Sequence, residues 1–434
     1  MTVHEREVAD GAAILSLLPE STEVVDGSLR VGGVDLAALA DRYGTPTYVF
    51  DVETFREQAR RFRTGLESRW PNSEVLFASK SFPALAVYEL AAREGLSIDV
   101  AGAGELELAL AAGVDPRRLY FHGNAKTTAE LQRAVEARVG TIILDNFDEF
   151  YRLNDLANTT QDVLVRVIPG VAPKTHVSQV TGGHDSKFGL PFDQARQLLD
   201  LVAASEYLRP RGVHLHIGSQ ILDTNSFADA VRQISTFSDQ SVYDIGGGLG
   251  VRYTYSEDPP TIESYLDAVV EVARAALPPA SRLLIEPGRS LVARAGVTLY
   301  RVVSVKRTGK VFVAVDGGMA DNLDVALTGQ RYEAAIDGRA LASADTACVV
   351  VGRQCESGDT LIDGIELPSP VVGDLLVVPV TGAYTFTTAN NYNGAYIAPV
   401  VFVEGGRTSL VVRRQSFEDV VALHRPMTDP HPDA

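Results

Sequence analysis

The sequence predicts an α/β fold joined to a second, mainly antiparallel β domain, and three observations carry that prediction. From about Thr47 to Arg289, short β-branched runs alternate with amphipathic helical stretches. Polar and glycine-rich residues gather where those runs end. After Ser290 the helical period fades, and strand-like runs separated by Gly, Asp and Asn turns replace it.

Taken in order, the stretch through about Asp41 contains SLRVGGVDLAALAD, which is expected to give a strand to the second domain and make it discontinuous. The strand candidates that follow are TYVFD, EVLFAS, SIDVAG, LYFHG, TIILDN, VLVRVI, GVHLHIG, SVYDIGGG and RLLIEPG. Between them lie stretches such as PALAVYELAAREG and TAELQRAVEARVG, with apolar residues three and four apart. Strand, helix and strand at this rhythm means a parallel sheet, and about eight units suggest a closed (β/α)8 barrel over residues 47–289. A doubly wound open sheet would share the pattern. VTLYRVVSVKRTGKVFVAVDGG, TACVVVGRQCESGDTLI, GDLLVVPVTGAYTFT and APVVFVEGGRTSLVVRR then read as strands of a β-sandwich or barrel built from residues 1–46 and 290–425. Residues 426–434, within the proline-rich HRPMTDPHPDA, read as a disordered tail.

At 434 residues with 45% hydrophobic composition, the chain has ample core for two domains. No apolar run is long enough to span a bilayer, and MTVHEREVADG lacks the order of a signal peptide. Two cysteines, Cys348 and Cys355, make no disulfide framework, which points to a reducing cytoplasm. A net charge of −17 argues against nonspecific binding to nucleic acid or anionic membrane.

The chemistry concentrates at strand ends. Lys80 ends the run VLFAS, where a lysine amine can condense with an aldehyde cofactor. Asp99 and Glu105 follow on the next strand and turn. DIGGGLGV runs a strand into Gly246, Gly247 and Gly248, whose backbone can approach a phosphate. It is no dinucleotide fingerprint, because Val251 stands where a third glycine is required. Ser219 in HIGSQ could add a hydroxyl donor. IEPGR offers Glu286 and Arg289; a carboxylate facing a pyridine nitrogen would make the ring an electron sink. Of His214 and His216, strand alternation should turn one inward and one toward the helices. No CxxC, HExxH or G-x-S-x-G pattern is present, so no metal is expected.

Together FASK, SIDVAGAGEL, TGGHDSKFG, HLHIGSQI, DIGGGLG, EPGR, CESGD and GAY resemble, in order, the fold-type III pyridoxal-phosphate (PLP) decarboxylases of the diaminopimelate and ornithine decarboxylase group. The resemblance implies a barrel, a β-sandwich-like domain and a head-to-tail homodimer with shared sites. Lys80 would hold PLP, and Gly246, Gly247, Gly248 and Ser219 would cradle its phosphate with Gly288, Arg289 and Tyr384. His216 would stack on the ring, Glu286 would pair with its nitrogen, and Asp99, Glu105 and Arg166 would support them. Cys355 and Glu356 would reach the partner's site, the cysteine supplying a proton and Glu356 gripping a substrate amine.

The substrate half departs from the family. Where D-N-x-R-P-A-L-Y is usual, this chain has Asp321-Asn322-Leu323-Asp324-Val325-Ala326-Leu327-Thr328, so Asp324 replaces an arginine and Thr328 a tyrosine. Arg353 lies near Cys355 and could restore a positive charge. The expectation is therefore an α-decarboxylase whose substrate differs from diaminopimelate at its far end, such as a modified or carrier-tethered amino acid. The alternatives are ordinary meso-diaminopimelate decarboxylation to L-lysine and, third, a basic amino acid such as ornithine or lysine held by Asp324. A fold-related racemase would need an arginine at the pyridine nitrogen, where this chain offers Glu286.

Overall fold

The computed structural model describes residues 11–170 and 186–427. Residues 181–185 of TGGHDSKFG and residues 428–434 of the expected tail lie outside the described residues. No described helix is long and apolar enough to cross a membrane.

Three short strands, β1 (Glu23–Val25), β2 (Ser28–Val31) and β3 (Val34–Asp35), pair with one another in an antiparallel sheet. This corrects the expectation that SLRVGG joins the larger β domain as a strand. The contact is made by backbone and turns instead: Gly406 N–H donates to Gly32 O at 2.7 Å, and Asp337 accepts from Leu29 N–H at 2.7 Å.

Strand β4 (Thr47–Asp51) corrects a second expectation. All five residues are buried, and an amphipathic helix, Val52–Arg69, follows directly, which is the local signature of a barrel strand. Its hydrogen bonds nevertheless go to strands made far later in the chain. The sequence rhythm reports that a strand exists; which sheet it joins is settled by pairing at long range. Asp51 also caps the helix, accepting from Thr54 N–H at 3.1 Å, so one residue ends the strand and starts the helix.

The barrel is formed by β5 (Ser73–Ala78), β6 (Ser97–Val100), β7 (Leu119–Phe121), β8 (Thr141–Leu144), β9 (Gln161–Arg166), β10 (Leu208–His214), β11 (Val242–Asp244) and β12 (Arg282–Ile285). Each is parallel to the next, and β12 returns to β5 with Leu283 opposite Ser73, so the sheet is closed rather than open. Leu76, Tyr120, Ile143, Leu164, Val242 and Leu284 form a separate apolar cluster from six of these strands. Burying a leucine there contributes roughly 1.5–3 kcal/mol. Helices coat the outside with residues at the expected spacing; Ile262–Ala276 buries Ile262, Tyr265, Leu266, Val269, Val270 and Ala273.

The second domain is built on β13 (Gly296–Arg307), which pairs with β4 on one side and β14 (Val311–Val315) further along. A register shift between Val302 and Ser304 divides the two halves. β15 (Ala335–Ile336) pairs β18 (Leu375–Pro379), which also joins β13. β16 (Thr346–Val351) and β17 (Thr360–Leu367) extend one edge, and β19 (Val400–Glu404) and β20 (Arg407–Val412) the other. β14 with β16 and β4 with β19 are parallel pairs; the other pairs are antiparallel.

Candidate active site

Lys80 sits in a tight turn, Ser79–Ser81, directly after β5. Ser81 Oγ donates to Ala78 O at 2.8 Å, and Ser81 O accepts from Tyr384 N–H at 3.0 Å. Phe82 stacks on Phe386 with centroids 5.1 Å apart, so the lysine turn is gripped by both domains. Tyr384 holds a φ of 58°, a left-handed conformation uncommon for a tyrosine. Desolvation lowers the proton affinity of Lys80, but Tyr384, Asp99 and Glu286 outweigh it and raise the pKa.

Polar side chains converge at the ends of the other strands, as the barrel architecture requires. Glu286 follows β12; its Oε1 lies 3.0 Å from His122 Nε2, and its Oε2 lies 3.3 Å from His214 Nε2. Burial would raise the Glu286 pKa, but the two imidazoles hold it well below the carboxylate range. Asp99 lies 3.7 Å from His122 and is pushed up to about 6, by burial first and by Glu286 against the pull of His122. Asp244 is raised well above its ordinary value by burial and then by Glu286. His214 is lowered to about 4 and His216 well below the usual range, both chiefly by burial.

His214 and His216 both reach this region, which corrects the expectation that one would turn toward the helices: side chains two apart along an extended chain share a face. β10 ends at His214, and His216 lies in the loop that continues from it. Its Nδ1 accepts from Gly247 N–H at 3.1 Å. Gly246 N–H donates to Asp244 at 2.9 Å. A Cβ on Gly247 would stand 2.1 Å from Glu286 O, and one on Gly248 would stand 2.5 Å from Gly218 O, so the turn is too tight for side chains. At Gly288 a Cβ would press on Ala78 and Ser81.

Arg289 Nε and Nη2 each donate to Ser219 Oγ at 3.2 Å, and Nη1 donates to the Tyr253 hydroxyl. The Tyr384 ring lies against the guanidinium at 4.7 Å. Arg166 is buried at the end of β9, over the Phe188 ring at 4.5 Å, among Asp145, Glu286 and Asp99. Glu105 stands at the edge, where its carboxylate accepts from Ala101 N–H at 2.7 Å and shapes its own loop.

The expected substrate residues divide. Asp324 is only 3% exposed and 3.8 Å from Arg289 Nη1; Tyr332 donates to it at 3.3 Å and Thr328 at 3.0 Å. Arg353, Cys355 and Glu356 are exposed and are not brought to this mouth within one chain. The Cys355 N–H donates to Asn393 at 2.6 Å, and Arg353 makes no ion pair among the described residues.

His122, Asp244, Tyr253 and Tyr332 were not singled out in the sequence. The first two occupy strand ends, LYFHG and VYDIG, a position that itself marks them in a barrel. The tyrosines carry no local signal. One donor atom each from His122, His214 and Glu286 lies within 4.8 Å of the others, a grouping from three strands that sequence spacing does not reveal.

Residues 52–293 match the family model of the pyridoxal-dependent decarboxylase, pyridoxal binding domain. The chain belongs to this family. It is 44% identical over 423 residues to diaminopimelate decarboxylase of Bacillus subtilis (strain 168), covering 92% of this chain and 96% of that one. It is also 44% identical over 422 residues to a diaminopimelate decarboxylase of Actinosynnema pretiosum subsp. auranticum, covering 93% and 94%. The crystal structure of diaminopimelate decarboxylase from M. jannaschii in co-complex with L-lysine superposes with a TM-score of 0.87 at 30% identity, covering 94% and 98%.

As a member of these decarboxylases the protein is an amino-acid carboxy-lyase that uses pyridoxal phosphate. The residues present fit that group. A lysine amine opens onto the mouth, a glycine turn allows close backbone approach, and His214 Nδ1 is buried without a hydrogen-bond partner. Such an atom is costly unless a bound polar group meets it.

Proposed function

We propose that the protein removes the α-carboxylate of meso-diaminopimelate, releasing CO2 and L-lysine. The names of its relatives at 44% identity over more than nine-tenths of the chain support this substrate over the modified or carrier-tethered amino acid expected from the sequence. The observation that carries the chemistry is Glu286, ionised between His122 and His214 across the mouth from Lys80.

When bound, pyridoxal phosphate supplies the electron sink for the carbanion left at Cα. Lys80 would anchor it covalently and yield that position to the substrate amine. Glu286 would keep a proton on the facing ring nitrogen. Gly246, Gly247, Gly248, Ser219, Gly288 and Arg289 would hold the phosphate, with Tyr384 packed on the guanidinium. His216 would cover one ring face, and Asp99, Arg166 and Glu105 would set the charge around it. Cys355 and Glu356 would act across a homodimer interface in the cytoplasm, the thiol returning a proton to Cα and Glu356 holding the far amine.

The test is release of CO2 and L-lysine from meso-diaminopimelate by the PLP-loaded protein. Efficient turnover supports the reading, and a loaded protein that leaves this substrate untouched overturns it. A second reading, with a different far end on the substrate, is favoured by Asp324. The third expectation, a cationic end gripped by Asp324, has less support because that carboxylate already faces Arg289, Tyr332 and Thr328.

A further inference from the structure

Asp324 is a charged side chain at the edge of this site to which the chemistry above gives no task. It is buried, and it comes from the second domain, at the start of the short helix Asp324–Thr328. A buried carboxylate persists when its charge is matched and its oxygens are bonded. Here Oδ2 faces Arg289 at 3.8 Å and accepts from the Tyr332 hydroxyl at 3.3 Å. Oδ1 accepts from Thr328 Oγ1 at 3.0 Å, and the same hydroxyl also reaches the Asp324 carbonyl at 2.8 Å. The carboxylate is fixed from both sides.

Arg289 is committed to match. Ser219 takes Nε and Nη2, Tyr253 takes Nη1, and Tyr384 covers one face. The positive charge at this wall therefore stands beside a negative one a few ångströms away, and the wall carries no net charge. A free carboxylate brought toward Arg289 would also approach Asp324, 3.8 Å from it, and like charges at that range repel. An amide, ester or thioester carries hydrogen-bonding groups without the charge and escapes that repulsion.

We propose that Asp324 is a specificity-determining residue that neutralises Arg289 and weakens the hold on a far carboxylate, that of meso-diaminopimelate included, so that the same site binds an uncharged far end more tightly. This rests on the α-decarboxylase reading and changes only the far end of the substrate. The reacting amino and carboxylate groups at Cα are the same in both cases.

The experiment uses the PLP-loaded full chain and two probes, meso-diaminopimelate and its carboxamide at the far carboxyl. Dissociation constants come from the visible absorbance change when each amine engages the bound cofactor, and CO2 release is followed in parallel. The wild type is expected to bind the amide at least about tenfold more tightly than the acid. Asp324→Asn, which keeps the size of the side chain, should shift that ratio toward the acid by about tenfold, and Asp324→Glu should restore it. A wild type that binds the acid as tightly as the amide overturns the proposal, even where a variant fails to fold. A ratio unmoved by Asp324→Asn overturns it too. Amide preference without CO2 from either probe would sink the decarboxylase reading and leave this one standing; preference for the acid with rapid CO2 release would do the reverse.

Discussion

Glu286 Oε1 stands 3.0 Å from His122 Nε2, and that pairing joins the last strand of the barrel to its third. His214 holds the other oxygen, so the carboxylate is fixed in place and in charge. Glu286→Gln keeps the shape and removes the charge. We expect kcat to fall about a hundredfold or more while the cofactor is retained, as for loss of a preorganised electrostatic contact. Steady-state kinetics beside the absorbance of the bound cofactor check this, and near-normal kcat would remove the central role assigned to the charge.

The Asp99 carboxyl, raised to about 6 by burial and by Glu286, binds its proton more tightly in the folded protein than in the unfolded chain. Stability from this group is therefore present at low pH and declines as pH rises from about 4 to 6. The displacement corresponds to roughly 2–3 kcal/mol by pH 7. Asp99→Asn should consequently gain in Tm relative to the PLP-free wild type on going from pH 4 to pH 7. Parallel curves of Tm against pH for the two proteins would count against a raised Asp99.

Much of the barrel and half of the site were legible because their signals are local. FAS before Lys80, DIG before Gly247 and LIEP before Gly288 are strands running into turns, and a barrel gathers such turns at one mouth. TYVFD misled for the same reason, since its local pattern is that of a barrel strand and its partners lie beyond the barrel sequence. His216 was expected to face away from His214, although residues two apart along an extended chain share a face. The pairing of Asp324 with Arg289 was invisible: the sequence marks the replaced arginine, but only the fold shows what the new carboxylate faces.

Gly247 is the tightest point of the Gly246-Gly247-Gly248 turn proposed to hold the phosphate. Gly247→Ala would drive a methyl to 2.1 Å from the Glu286 carbonyl oxygen, so either the turn or the end of β12 must move. We expect PLP affinity to drop at least about tenfold while the helical and strand content is kept, since the turn lies outside both elements. Titration of the PLP-free protein with the cofactor, beside circular dichroism, tests it; unchanged affinity would show that the turn yields freely.

Cys355 and Glu356 are exposed on one chain, so their proposed role requires a second copy. Lys80→Ala and Cys355→Ala should each be nearly inactive alone. If the sites are shared across a symmetric dimer, subunits exchanged at random between the two variants should recover about a quarter of wild-type activity. No recovery after verified exchange would place Cys355 away from the partner's site.

β4 leaves the ribosome before any barrel strand, yet its neighbours, Gly296–Leu299 of β13 and Val400–Val403 of β19, are among the later segments to follow. The nascent chain must therefore carry an apolar strand with both edges open while the whole barrel is made and can close. Such a segment is prone to wrong pairing, and loop closure over so long a span is slow. A polypeptide arrested before Val400 would hold a finished barrel beside a β4 paired on one edge only, and that half-covered strand is the natural target for a chaperone.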